Sequence, residues 1–218
     1  MRRIARMVLV LVLAAALLAE AAFAADSVST VKLNQVQQRN ADLTMYVSMS
    51  DAGGYPSRGD STADQFSISV DGKALDVDSV QAYDPQTQGI HYVFSVDVSK
   101  SLTDAMMQNV RASLNEFVDS LGPKDVVSMI TFGEVVTERI LGSGDREAIK
   151  AAIAGIQADE GMTALYKGVI DAVEIAASRG GRSAVIVVTD GKNDPTEAMK
   201  TYTKESIYDS VKSAQVPL

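Results

Sequence analysis

From residue 90 onward the chain alternates short apolar runs with longer segments whose apolar residues recur every three or four positions, and few architectures accept that pattern. Ile90–Val96 reads as a strand. Val110, Leu114, Phe117, Val118 and Leu121 then share one helix face until Gly122-Pro123 stops it. A second strand is expected over Val126–Phe132. A shorter one over Val135–Ile140 follows a single Gly-containing turn and is therefore expected to run antiparallel at an edge. Asp145 can cap a helix carrying Ile149, Ile153 and Ile156. The next helix has Leu165, Val169, Val173 and Ala176 on one face, with Gly180-Gly181 as its stop. Ala184–Thr189 is the most apolar run, and Ile207, Val211 and Ala214 mark a last helix. The expected fold class is α/β: a doubly wound, mostly parallel open sheet, Rossmann-like, with helices on both faces and one antiparallel edge strand. The chain ends at Val216-Pro217-Leu218 where another strand is expected, so the domain is expected to be truncated, its C-terminal strand and helix missing.

Upstream the pattern differs. Residues 25–89 are rich in Ser, Asp, Thr and Gln and carry period-two stretches, Leu43–Met49 and Phe66–Val70, which read as half-buried strands. Asp71-Gly72 is a hairpin-turn signal, with Lys73–Val80 expected as the returning strand. This segment reads as a small β-rich, Ig-like unit. Before it, Arg2, Arg3 and Arg6 precede an apolar run, Met7–Leu18, and then Ala22-Phe23-Ala24, the pattern of a secretory signal peptide spanning residues 1–24. Twelve apolar residues make only ~18 Å of helix against a bilayer core of ~30 Å, so cleavage is favoured over retention as an anchor. Cleavage removes three Arg and one Glu from a chain of net charge −8, leaving −10. An extracellular, periplasmic or cell-surface location follows.

Composition removes most chemistry. With no cysteine, disulfides, thiolate metal sites and thiol nucleophiles are excluded, and with His91 as the one histidine so is a multi-His metal site. The acidic balance argues against nucleic acid or an anionic membrane surface as partner. Carboxylates, hydroxyls and backbone remain. Ligands of open α/β sheets bind outside the carboxyl ends of the strands. Asp97 follows directly on Ile90–Val96 and Asp190 on Ala184–Thr189, so neighbouring strands would bring both carboxylates to one crevice. Ser99 and Ser101 add hydroxyls at alternate positions after Asp97, and Thr163, in Gly161-Met162-Thr163 at a helix start, offers a third.

Asp97-x-Ser99-x-Ser101, then Thr163 in Gly-Met-Thr-Ala-Leu, then Asp190 in Val-Val-Thr-Asp-Gly, resembles the von Willebrand factor type A domain, over Ile90–Leu218. The five positions match that family's metal-ion-dependent adhesion site. Phe66–Val80 is similar to the β unit that precedes such domains in some exported bacterial proteins. Lys100 departs from the pattern, since a small residue is common there; its charge would weaken metal binding or reach toward a partner. The resemblance implies a non-enzymatic, metal-dependent adhesion module in which the ion takes an Asp or Glu of a protein partner, some of its own Asp contacts running through water. An all-oxygen set of few, short ligands suits octahedral Mg²⁺, or Mn²⁺, better than Ca²⁺. Membrane contact is expected only through an anchor encoded beyond Leu218.

Each of these residues also has an ordinary structural use. Asp at a strand end often caps a helix, and Ser99 or Ser101 can cap the helix that begins near Thr103. Arg58-Gly59-Asp60 resembles an adhesive tripeptide but lies in a Gly-rich loop where chance supplies it. His91 reads as packing, Gly142-Ser143-Gly144 as a turn, and Met106-Met107 as helix surface and core. The alternative function is Mg²⁺-dependent phosphoryl transfer using Asp97, as in phosphatases with a carboxylate after the first strand. Those enzymes usually place a second Asp two positions later, where this chain has Ser99.

Overall fold

The computed structural model describes residues 28–40, 42–57 and 61–218. The expected signal peptide and Arg58-Gly59-Asp60 lie outside the described residues. Contacts divide the described residues into two compact units, one made of those up to Leu33 with those of Val47–Ala82, the other of those in Asn34–Tyr46 with Tyr83–Leu218. Strands β1 (Thr30–Arg39) and β2 (Asp42–Ser50) pair as a two-stranded ribbon.

The smaller unit contains the expected hairpin, β3 (Ile68–Val70) and β4 (Lys73–Leu75), antiparallel with Val70 opposite Lys73. Asp71 and Gly72 both take positive φ, 50° and 75°, which the two-residue turn requires. The returning strand is shorter than Lys73–Val80. Ile68 pairs with Leu75, and continuing that register puts the 3₁₀ turn at Ala63–Gln65 where the partners of residues 78–80 would lie.

The larger unit is built on a four-stranded sheet. In chain order its elements are β5 (His91–Asp97), α1 (Asp104–Ser120), β6 (Val126–Phe132), β7 (Val136–Ser143), α2 (Arg146–Ala154), α3 (Leu165–Ser178), β8 (Ser183–Val188) and α4 (Lys204–Ala214). The order across the sheet is β7-β6-β5-β8, parallel except for β7, which runs antiparallel to β6 as expected. Alternation along the strands divides the core. Phe94 and Val96 of β5 with Val127 and Met129 of β6 face Met107, Leu114 and Val118 of α1 and Ile149 and Ile153 of α2. Val93, Ile130 and Val185 face the other way, onto Val169, Ala172, Val173 and Ala176 of α3, with Ile207 and Val211 of α4 against that layer. Both faces of the sheet are covered, which is why β5 and β6 read as almost continuous apolar runs.

Two contacts seat the helices. Gly168 of α3 packs so closely on β6 that a Cβ there would lie 2.5 Å from Phe132 Cδ1, and its carbonyl accepts from Ser95 Oγ at 2.9 Å. Asp145 caps α2, its carboxylate accepting the N–H groups of Glu147 and Ala148 at 3.0 and 3.2 Å. The turn expected at Gly142-Ser143-Gly144 begins instead within β7, where Gly142 and Ser143 are the last strand residues, and a register shift between Val127 and Met129 accommodates them.

Candidate metal centre

Because β5 and β8 are adjacent and parallel, with Val96 opposite Val188, their carboxyl ends stop side by side. Asp97 ends β5 with 0% of its surface exposed. Its Oδ1 accepts the Ser99 N–H at 2.8 Å and its Oδ2 accepts the Thr189 hydroxyl, also at 2.8 Å. Ser99 Oγ lies 2.8 Å from Ser101 Oγ. The Ser101 hydroxyl in turn lies beside the Asp190 carboxylate. One polar chain thus joins Asp97, Ser99, Ser101 and Asp190 across two strand ends.

Helix capping does not use these groups. Thr103 caps α1, its Oγ1 accepting the Met106 N–H, so Ser99 and Ser101 are free of that duty. Asp97 caps only the N–H of Ser99, two residues on.

Thr163 arrives by a third loop. Its N–H donates to the Asp194 carbonyl at 2.8 Å and its carbonyl accepts the Asp194 N–H at 3.0 Å, which fixes it beside the segment after Asp190. That loop also touches the first, since Glu160 forms an isolated parallel bridge with Ser99. The Thr163 side chain is buried but makes none of the hydrogen bonds of the polar chain.

Charge is the unusual feature. Among the described residues no Lys, Arg or His forms an ion pair with Asp97. A buried carboxylate without a cation is costly, and its two hydrogen bonds leave oxygen lone pairs unused. Asp190 is less enclosed. The Lys192 N–H above all, then the Ser101 hydroxyl, hold its carboxyl below the usual carboxylate range, with the Lys192 charge adding to them. Lys192 Nζ lies 3.6 Å from Asp190 Oδ2, so the lysine that pairs with a carboxylate of this site is Lys192 and not Lys100. Among the described residues no three His, Cys, Asp or Glu side chains gather to hold a metal. A set of two carboxylates completed by hydroxyls is the kind that suits a hard cation.

Thr189 was not singled out from the sequence, although a signal exists. Continuing the β5/β8 register by one pair from Val96 and Val188 puts Thr189 opposite Asp97. A hydroxyl beside a strand-end carboxylate can donate to it without neutralising its charge.

A family model described as the von Willebrand factor type A domain matches residues 92–212. No curated protein matches the chain. Among solved structures the chain is similar to the vWF domain of the type V pili tip protein Mfa5 from Porphyromonas gingivalis, at 17% identity and a TM-score of 0.45 over 49% of this chain and 39% of that one. It is also similar to a von Willebrand factor type A structure from Catenulispora acidiphila, at 17% identity and a TM-score of 0.48 over 58% and 31% of the two chains. Proximal thread matrix protein 1 from the mussel byssus follows at 19% identity and a TM-score of 0.48, over 59% and 34%. The chain therefore spans between 31% and 39% of the length of these three structures.

Proposed function

We propose, from the premise that the chain belongs to the von Willebrand factor type A domain family, that it is an exported module in which a divalent cation captures an acidic residue of a protein partner. The family is in general one of metal-dependent protein-interaction modules and is typically non-enzymatic. The observation that carries the reading is Asp97: buried, without a cationic partner among the described residues, and joined through Ser99 and Ser101 to a second carboxylate, Asp190. Asp97, Ser99, Ser101, Thr163 and Asp190 would hold the ion, Mg²⁺ or Mn²⁺. Two carboxylate charges only balance a divalent cation, and the hydroxyls add none, so a bound ion would still attract an incoming carboxylate. Thr189 keeps Asp97 oriented, and the main chain of Lys192 keeps Asp190 ionised. Nothing in the site favours phosphoryl transfer: position 99 presents a serine hydroxyl bonded to Ser101 in place of a general acid.

Calorimetry with Mn²⁺ tests the ligand set. The wild type is expected to bind one equivalent, and Asp97→Asn, nearly isosteric, to lose most of that binding while its far-ultraviolet circular dichroism stays unchanged. Equal affinity in the two proteins would remove the site. Partner capture is tested by pull-down from the producing cell's surface fraction with Mg²⁺, with EDTA and with Asp190→Ala. Retention under all three conditions would move the binding surface elsewhere. Export rests on the N-terminal pattern alone, and an intact mass beginning at Ala25 is the expected result. Among the described residues no helix is long and apolar enough to cross a membrane.

A further inference from the structure

The loop that delivers Thr163 is held by two glutamates that no ligand role uses. Glu160 works with its main chain on one side: the Lys100 N–H donates to its carbonyl at 2.8 Å, and its own N–H donates to the Val98 carbonyl at 3.1 Å. This extends parallel pairing beyond the end of β5, into the segment that bears Ser99. Its side chain works on the other side. The carboxylate accepts the N–H of Glu134, and at 3.3 Å the N–H of Val135, in the turn between β6 and β7. Glu134 returns the contact, its Oε1 accepting the Gly161 N–H at 3.1 Å.

Gly133 makes the approach possible. A Cβ at that position would lie 2.5 Å from Glu160 Oε2 and 2.6 Å from Glu160 Cβ, so any side chain there would push the glutamate out. The Gly133 carbonyl accepts the Ala164 N–H at 2.7 Å, directly after Thr163. Three strand-end loops, 98–100, 133–135 and 160–164, are thus fastened at one residue. Neither glutamate forms an ion pair among the described residues, so the negative charge is committed to backbone N–H groups.

We propose that Glu160 is a positioning residue for the metal centre: by spanning from the Ser99 segment to the β6–β7 turn it sets where Thr163 stands relative to Asp97 and Ser99. The inference rests on the reading that those three residues are ligands. One carboxylate oxygen accepts from two successive backbone N–H groups of the β6–β7 turn, so the reach of the side chain decides whether the turn is held. Loss of an outer support of this kind costs on the order of 10- to 100-fold in metal affinity.

Two single substitutions separate reach from charge. Glu160→Asp keeps the charge and shortens the side chain by one carbon, so it cannot meet both N–H groups. Glu160→Gln keeps the length and an accepting oxygen and drops the charge. Mn²⁺ calorimetry on the full chain is expected to show Glu160→Asp weakened on the order of 10-fold and Glu160→Gln within about threefold of wild type. The opposite order would mean that Glu160 acts by its charge on the ion, equal weakening that the length of its side chain is not what sets the centre, and unchanged affinity in both that it does not act on the centre; each overturns the proposal. A wild type that binds no Mn²⁺ would overturn the ligand reading and this inference with it, whereas a binding wild type lost in Asp97→Asn, beside a failed Glu160 pattern, refutes the positioning role alone.

Discussion

Acid should destabilise the larger unit through one residue at the opposite end of β5. His91 is 4% exposed, its Nε2 lies 2.8 Å from Ser128 Oγ, and its Nδ1 is buried with no hydrogen-bond partner among the described residues. Ser128 Oγ also accepts the Gly142 N–H at 2.8 Å, so the hydroxyl is engaged on both sides. An imidazolium needs two acceptors and would find one at most. Burial, first, and the nearby Arg179 charge, second, push the His91 pKa down from 6.5 to about 4. The unfolded chain, with its histidine at the ordinary value, binds more protons throughout that interval. Stability is therefore fully present above pH 6.5, falls as pH drops toward 4, and is flat in this respect below it. Between pH 7 and pH 5 the loss from this one group works out at about 2 kcal/mol. Urea unfolding followed by circular dichroism at the two pH values, for wild type and His91→Gln, isolates it, because every carboxylate is common to both proteins. The variant is expected to lose about 2 kcal/mol less than wild type on acidification. Equal losses in the two proteins would show that the ring is already charged in the folded state, or accommodated there, and would refute the argument.

Packing and capping give two further tests. Gly168→Val places methyl groups where a Cβ is already 2.5 Å from Phe132, so a stability loss of about 1–3 kcal/mol is expected, read as a lowered thermal midpoint. Asp145→Ala leaves the N–H groups of Glu147 and Ala148 without their acceptor, and denaturant titration should register a loss of about 1 kcal/mol.

The α/β unit was legible because its strands are buried on both faces and its helices on one. Val126–Phe132 is bounded in the structure as its apolar run indicates, and β5 and β8 lie within one residue of theirs. Strand β1 was not legible, since hydropathy cannot register burial that hydrogen bonds support. Its Gln35 is buried because Ser183 donates its N–H to Gln35 Oε1 at 3.2 Å and accepts from Gln35 Nε2 at 3.4 Å. At the candidate centre, the residues that carry oxygen at a strand end stood out by type and spacing. Thr189 and Glu160 did not, because one acts through the register of two strands distant in sequence and the other through main-chain contacts with two loops. The approach of Lys192 to Asp190 depends on the turn that follows β8, and the sequence reading weighed only the charge of Lys100.

The place of β8 in the sheet has a kinetic consequence. It pairs along its length with β5 on one side and meets the Pro217 carbonyl through the Val185 N–H on the other. Four of its six residues are only half-buried, whereas β5 is buried at all positions but one. A strand less buried than its neighbour opens at less free energy than the whole fold requires to unfold. Thr189 and Asp190 follow directly on that strand, and Asp97 ends its more deeply buried neighbour. The centre is then a clasp closed across a seam, opening whenever the end of β8 lifts while β5 and β6 stay paired. A cation gripping both sides would hold the seam shut, and deuterium uptake at the β8 amides would slow in proportion to its occupancy.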